Sequence, residues 1–141
     1  MPLLVVDASV VLKWLRDETD AAWARALVRQ PGTGLLAPEL LLSECANVLW
    51  RIQRRGEATL EHVAGLLDTL MAYPLAIEAI PRAVHGHALR LAAAMAHPAN
   101  ACLYLALALD REAALATADR RLAAAIRGAG ILPGDRLLTP P

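Results

Sequence analysis

The sequence predicts an α/β fold organised around a parallel sheet. Three observations carry that expectation. Leu3-Leu4-Val5-Val6 is a short, uninterrupted apolar run, as a strand buried on both faces requires. Short apolar runs then alternate with longer helix-period segments along the chain. The later part of the chain repeats the unit in full: a helix opened by Pro98 and Asn100, a brief apolar run, and another helix after Thr117-Ala118-Asp119.

A chain of 141 residues suits one domain, 1–141, with a sizeable core. Hydrophobic residues make up 57%, which argues against disorder, and the excess of Ala and Leu favours helices. Basic and acidic residues balance at 14 each, so a net-basic nucleic-acid binder is not indicated. Local patches and bound cations can still attract nucleic acid. Lys13 is the sole lysine; the other basic residues are arginines. Cys45 and Cys102 fall inside apolar helical patterns and read as buried, reduced thiols. Leu3–Val6 is too short for a signal-peptide core, and no apolar run has spanning length. The expectation is a soluble, cytoplasmic protein with no membrane association.

The first strand, Leu3–Val6, stops at Asp7-Ala8-Ser9. The helix after it sets Val10, Val11, Trp14 and Leu15 on one face. Thr19–Gln30 reads as a second helix, Pro31-Gly32-Thr33-Gly34 as a turn and Leu35–Ala37 as a short strand. Pro38 is expected to start a long helix to about Arg55, stopped by Gly56. Thr59–Ala72 is amphipathic, Ala76–Ile80 alternates as a strand does, and Arg82–Met95 is helical. His85 and His87 point to different helix faces, and His62 and His97 stand alone, so no histidine metal pair is expected. A buried helix of about nine residues follows His97-Pro98. A polar turn (Asp110-Arg111-Glu112), a weak strand (Ala113–Ala116) and a helix (Arg120–Arg127) come next. Ile131-Leu132 is the candidate final edge strand, and the tail after Pro133-Gly134-Asp135 is expected to be loose.

Three carboxylates stand out. Asp7 and Asp119 follow strands, where α/β sheets place their ligands, although each also suits a helix N-cap. At about 100° per residue, Glu44 falls about 40° from Leu40, inside the apolar arc of its helix. A carboxylate there costs several kcal/mol unless it is paired or bound to a metal. An Arg partner and a functional role are the two resolutions. In a parallel sheet Asp7 and Asp119 share one edge, and Glu44 can reach it from its helix. Clustered carboxylates repel, and Mg²⁺ or Mn²⁺ removes that cost. Phosphodiester hydrolysis is the reaction such a centre does best.

The same residues carry a family resemblance. Val5-Val6-Asp7-Ala8-Ser9-Val10, Glu44-Cys45-Ala46-Asn47-Val48-Leu49, His97-Pro98 with Cys102-Leu103-Tyr104-Leu105-Ala106-Leu107-Ala108, and Thr117-Ala118-Asp119-Arg120-Arg121-Leu122 occur in order. Together they resemble PIN-domain ribonucleases, specifically the VapC-type toxins of bacterial toxin–antitoxin pairs. The resemblance spans nearly the whole chain. It implies a PIN-like three-layer α/β/α sandwich with a central, mainly parallel sheet of four to five strands. It also implies Mg²⁺- or Mn²⁺-dependent RNA cleavage, a homodimer, and a VapB-type antitoxin through which operator DNA is bound. Asp7, Glu44 and Asp119 match three acidic positions of that family, and Ser9, Asn47 and Thr117 match polar positions beside them. The departure is Ala101, where the family carries an Asp. An Asp at that helix start would be favoured by the helix dipole. Its loss is expected to cripple catalysis and spare the fold. A deliberate Asp→Ala substitution would leave such an otherwise undamaged motif; natural loss is the alternative.

RNA reaching these carboxylates needs basic groups, and Arg51, Arg54, Arg55, Arg120 and Arg121 are candidates, with Lys13 nearby in the chain. Two rival readings stand beside the nuclease. A non-catalytic RNA- or protein-binding module is favoured by Ala101 and disfavoured by three retained, costly carboxylates. A phosphatase with a strand-end Asp nucleophile usually places a second Asp two residues on, where this chain has Ser9.

Overall fold

The computed structural model describes residues 2–141. Strand β1 (Leu3–Val6) leads into helices α1 (Ala8–Leu15) and α2 (Ala21–Val28). Strand β2 (Gly34–Pro38) is followed by α3 (Leu40–Arg54) and α4 (Leu60–Met71). Strand β3 (Leu75–Glu78) is followed by α5 (Arg82–Met95) and α6 (Ala99–Asp110). Strand β4 (Ala114–Ala116), helix α7 (Arg120–Ala129), a 3-10 turn at Gly134–Arg136 and strand β5 (Leu137–Leu138) follow.

The five strands form one sheet in the order β3-β2-β1-β4-β5, and each neighbouring pair is parallel. All carboxyl ends therefore lie along one edge. The chain leaves central β1 towards β2 and later returns on its other side as β4. That reversal leaves a crevice at the carboxyl ends of β1 and β4. Right-handed crossovers fix the layers. The steps from β1 to β3 run one way and place α1–α4 on one face; the steps from β3 to β5 run back and place α5–α7 on the other. Packing follows this division: α1 meets α2, α3 and α4, α5 meets α6 and α7, and α6 lies across β1, β2 and β4. The result is the expected three-layer α/β/α sandwich.

Val5, Val6, Leu115 and Ala116 form the floor of the core. Helix α6 is buried on every side from Cys102 to Ala108, because it is wedged between the sheet and α5. Trp14 is also in the core; its indole N–H donates to the Ala24 carbonyl at 2.8 Å, and its ring lies 5.1 Å from that of Tyr73. Trp50, by contrast, is half exposed on α3. Both cysteines are buried and unpaired, and burial pushes the Cys45 thiol up to about 12. Among the described residues no single helix is long and apolar enough to cross a membrane.

Three sequence expectations need correction. Pro38 does not start α3: it is the buried last residue of β2, and Glu39 makes the turn into the helix. A strand-end Pro and a helix-start Pro share the same extended entry, so the residue type does not separate them. Ile131-Leu132 is not a strand. The edge strand is Leu137–Leu138, in the segment expected to be loose. Its Leu138 carbonyl accepts the Thr117 N–H at 3.0 Å, and Leu137 is buried.

Leu105→Ala, in the buried middle of α6, is expected to cost about 2–5 kcal/mol through transfer and cavity terms. Leu89→Ala, on the exposed face of α5, should stay within about 0.5 kcal/mol. Urea unfolding of both variants measures the contrast.

Candidate active site

The site begins where β1 stops. Asp7 ends the strand in extended geometry and caps α1: its Oδ1 accepts the Val10 N–H at 3.2 Å. The Ser9 hydroxyl donates to the same oxygen, and the Thr117 hydroxyl donates to Oδ2. Both hydroxyls also accept backbone N–H groups from the β4–α7 connection: Ser9 takes Ala118 at 2.9 Å and Thr117 takes Asp119 at 3.0 Å. Ser9 and Thr117 thus stitch the end of β1 to the end of β4 through one carboxylate. Asp7 is buried, and burial is the main reason its carboxyl is pushed up to about 6. The hydrogen bonds from Ser9, Thr117 and the Val10 N–H pull it down, and the nearby Asp119 charge raises it.

Asp119 plays the matching part at β4. It caps α7, with Oδ1 accepting the N–H groups of Arg121 at 3.0 Å and Leu122 at 3.1 Å. For both acids the capping reading and the sheet-edge reading hold together. Glu44 approaches from the second turn of α3 and is partly buried. Its partner is no arginine; the Tyr104 hydroxyl of α6 donates to its Oε1.

Asp7, Ser9, Glu44, Ala101, Tyr104 and Asp119 line one crevice of about 110 Å³. Thr117 lies just beneath, holding Asp7. Asn47 is exposed one turn beyond Glu44 and does not line the crevice. Ala101 stands in the first turn of α6, so its methyl occupies the crevice wall that an acid there would fill.

Tyr104 received no role from sequence. The available signal was its place on a helix buried on all sides, where a hydroxyl must find a partner. It also follows position 101 by three residues and so shares its face. Burial and the Glu44 carboxylate push the Tyr104 hydroxyl well up, so it remains a donor.

Three carboxylates around one opening are the hard oxygen donors that a divalent cation takes. Among the described residues, no three His, Cys, Asp or Glu side chains stand close enough to share an ion as they are. Glu44 is turned to Tyr104 and Asp119 to its own helix. The three acids are of the chemical type such an ion takes, and Ala101 beside them brings no oxygen donor to the crevice.

A parallel α/β sandwich with acidic side chains at its topological switch point is one class of fold and site. The sequence model of the PIN domain family matches residues 4–127, and the chain belongs to that family. No curated protein sequence matches the chain. Among solved structures, PAE2754 from Pyrobaculum aerophilum is 21% identical with a TM-score of 0.70, covering 88% of this chain and 79% of that one. VapC20 of Mycobacterium tuberculosis, a sarcin-ricin loop cleaving toxin, is 12% identical with a TM-score of 0.64, covering 86% and 94%. VapBC2 from Rickettsia felis, solved with a fragment of promoter DNA, is 11% identical with a TM-score of 0.65, covering 97% and 96%. At these identities the likeness is one of fold.

The folded state holds the Asp7 proton more tightly than the unfolded chain, whose carboxyl titrates near 3.8. Its stabilising contribution is therefore complete below about pH 4 and is lost as pH rises through about 6. Without divalent metal, the parent should lose about 2 kcal/mol more than Asp7→Asn between those limits. Urea titrations at the two pH values measure the difference.

Proposed function

We propose that this chain is the toxin component of a type II toxin–antitoxin pair of the VapC kind. It is a cytoplasmic ribonuclease dependent on Mg²⁺ or Mn²⁺, weakened here by Ala101. The convergence of Asp7, Glu44, Asp119 and position 101 on one sheet-edge crevice, in a chain of the PIN family, carries the reading.

Asp7, Glu44 and Asp119 would hold the ion. When bound, it supplies Lewis acidity to the phosphodiester and a more acidic attacking water. The protein's own groups divide the remaining work. Ser9 and Thr117 fix both oxygens of Asp7, so one donor is set before the ion arrives. Tyr104 holds Glu44 at the crevice wall. Asp119 is anchored through Oδ1, and among the described residues Oδ2 makes no hydrogen bond.

The partner reading follows the same line. Solved relatives of this fold include VapBC complexes from Rickettsia felis and Haemophilus influenzae, the former on promoter DNA. We infer a VapB-type antitoxin as partner, operator DNA bound only through it, and a homodimer as the assembled state. The rival, a non-catalytic RNA- or protein-binding module, is favoured by Ala101 and by the present spacing of the acids. The retained burial cost of Asp7 argues for a cation at this edge.

Ala101→Asp is expected to raise metal-dependent RNA cleavage about a hundredfold or more over the parent. Mn²⁺ should also raise its thermal midpoint more than that of the parent. An Ala101→Asp chain that neither cleaves RNA nor responds to Mn²⁺ would leave the non-catalytic module standing.

A further inference from the structure

Beside the acidic crevice lies a second, larger cavity of about 270 Å³. The two share Asp119 as a common wall. On one side of the second cavity stand Arg120, Ala123 and Arg127 of α7; on the other, Thr139 and Pro140 of the C-terminal tail. Arg120 and Arg127 are seven residues apart and so project from one face of the helix. Both are exposed, and among the described residues neither has an ion-pair partner. Arg127 donates to the Thr139 hydroxyl at 2.9 Å, which aims its guanidinium across the cavity mouth. The fold therefore places two uncompensated cations next to a cluster of acids, with Asp119 as the border between them.

Resting on the ribonuclease reading, we propose that this cavity is the subsite for the nucleotide next to the scissile phosphodiester. Arg120 and Arg127 grip its phosphate, while Ala123 and Pro140 meet the flat face of its sugar or base. The size is that of one such unit: small-ligand sites run from about 300 to 1,000 Å³, and this cavity lies just below the lower bound. Contiguity decides the ligand class. On the Asp119 side of the crevice, a strand with one phosphate at the carboxylates runs directly into this cavity, where its next phosphate meets guanidinium rather than carboxylate. Arginine forks match phosphate oxygens in geometry as well as charge. Such contacts fix the register of the strand without reading its sequence.

Because Ala101 suppresses cleavage, binding can be measured on the chain as it stands. The probe is a short fluorescein-labelled single-stranded RNA, followed by anisotropy across a salt series. Arg120→Gln and Arg127→Gln should each weaken binding about tenfold and lower the slope of affinity against salt by about one. Arg90→Gln, exposed on α5, serves as the control and should leave both unchanged. In the Ala101→Asp background, Arg120→Gln should raise KM more than it lowers kcat.

If the two variants bind RNA with the parent's affinity and slope while Ala101→Asp cleaves, the subsite is wrong and the nuclease reading stands. If the parent binds no RNA and Ala101→Asp does not cleave, both fall. Weakened binding to a protein partner with RNA affinity untouched would assign the cavity to that partner and overturn the subsite.

Discussion

The hydrogen-bonded burial of the Asp7 carboxylate is the constraint on which the other parts rest. β1 and β4 are neighbours in space and more than a hundred residues apart in sequence. Where their ladder ends, the link is continued by Ser9, Thr117 and the Asp7 carboxylate between them. A buried charge is costly alone, and here two hydroxyls and one backbone N–H offset part of that cost. The remainder shows in the raised carboxyl, a record of burial that the fold tolerates at the carboxyl edge of its sheet.

The same economy recurs around the crevice. Asp7 and Asp119 are each helix caps as well as wall residues, so the folding of α1 and α7 positions them. Glu44 reaches the crevice differently, from the side of a helix, and needs an outside hold. Tyr104 supplies it from α6, across the layer boundary. Two acids are thus aimed by backbone geometry and one by a hydroxyl on the opposite layer.

Much of this was legible in the chain. The period of the apolar residues marked the helices, two-sided burial left uninterrupted apolar runs such as Leu3–Val6 for strands, and weak β4 was legible only from its place between two helices. The acids were legible because each broke a local pattern: Asp7 a strand, Glu44 an apolar arc, Asp119 the gap between elements. The rest depended on tertiary context. β5 is two residues long, and only its pairing with β4 makes it a strand. Pro38 is compatible with either of its neighbours. Tyr104 carries no local sign that its hydroxyl meets Glu44, and Asn47, one turn from Glu44, is aimed to solvent by an angle that spacing alone does not resolve. The arginine-lined cavity needed the tail to fold back against α7.

Position 101 differs from the three acids in one respect. Asp7 and Asp119 cap helices, and Glu44 takes up the hydroxyl of a buried tyrosine; an alanine at 101 leaves no buried polar side-chain atom without a partner among the described residues. The crevice therefore has three corners that the fold is built through and one that it is not. At that corner the side chain bears on the crevice and not on the fold. Side chains of different charge can therefore be exchanged at that corner while the hydrogen bonds that hold Asp7, Glu44 and Asp119 stay in place.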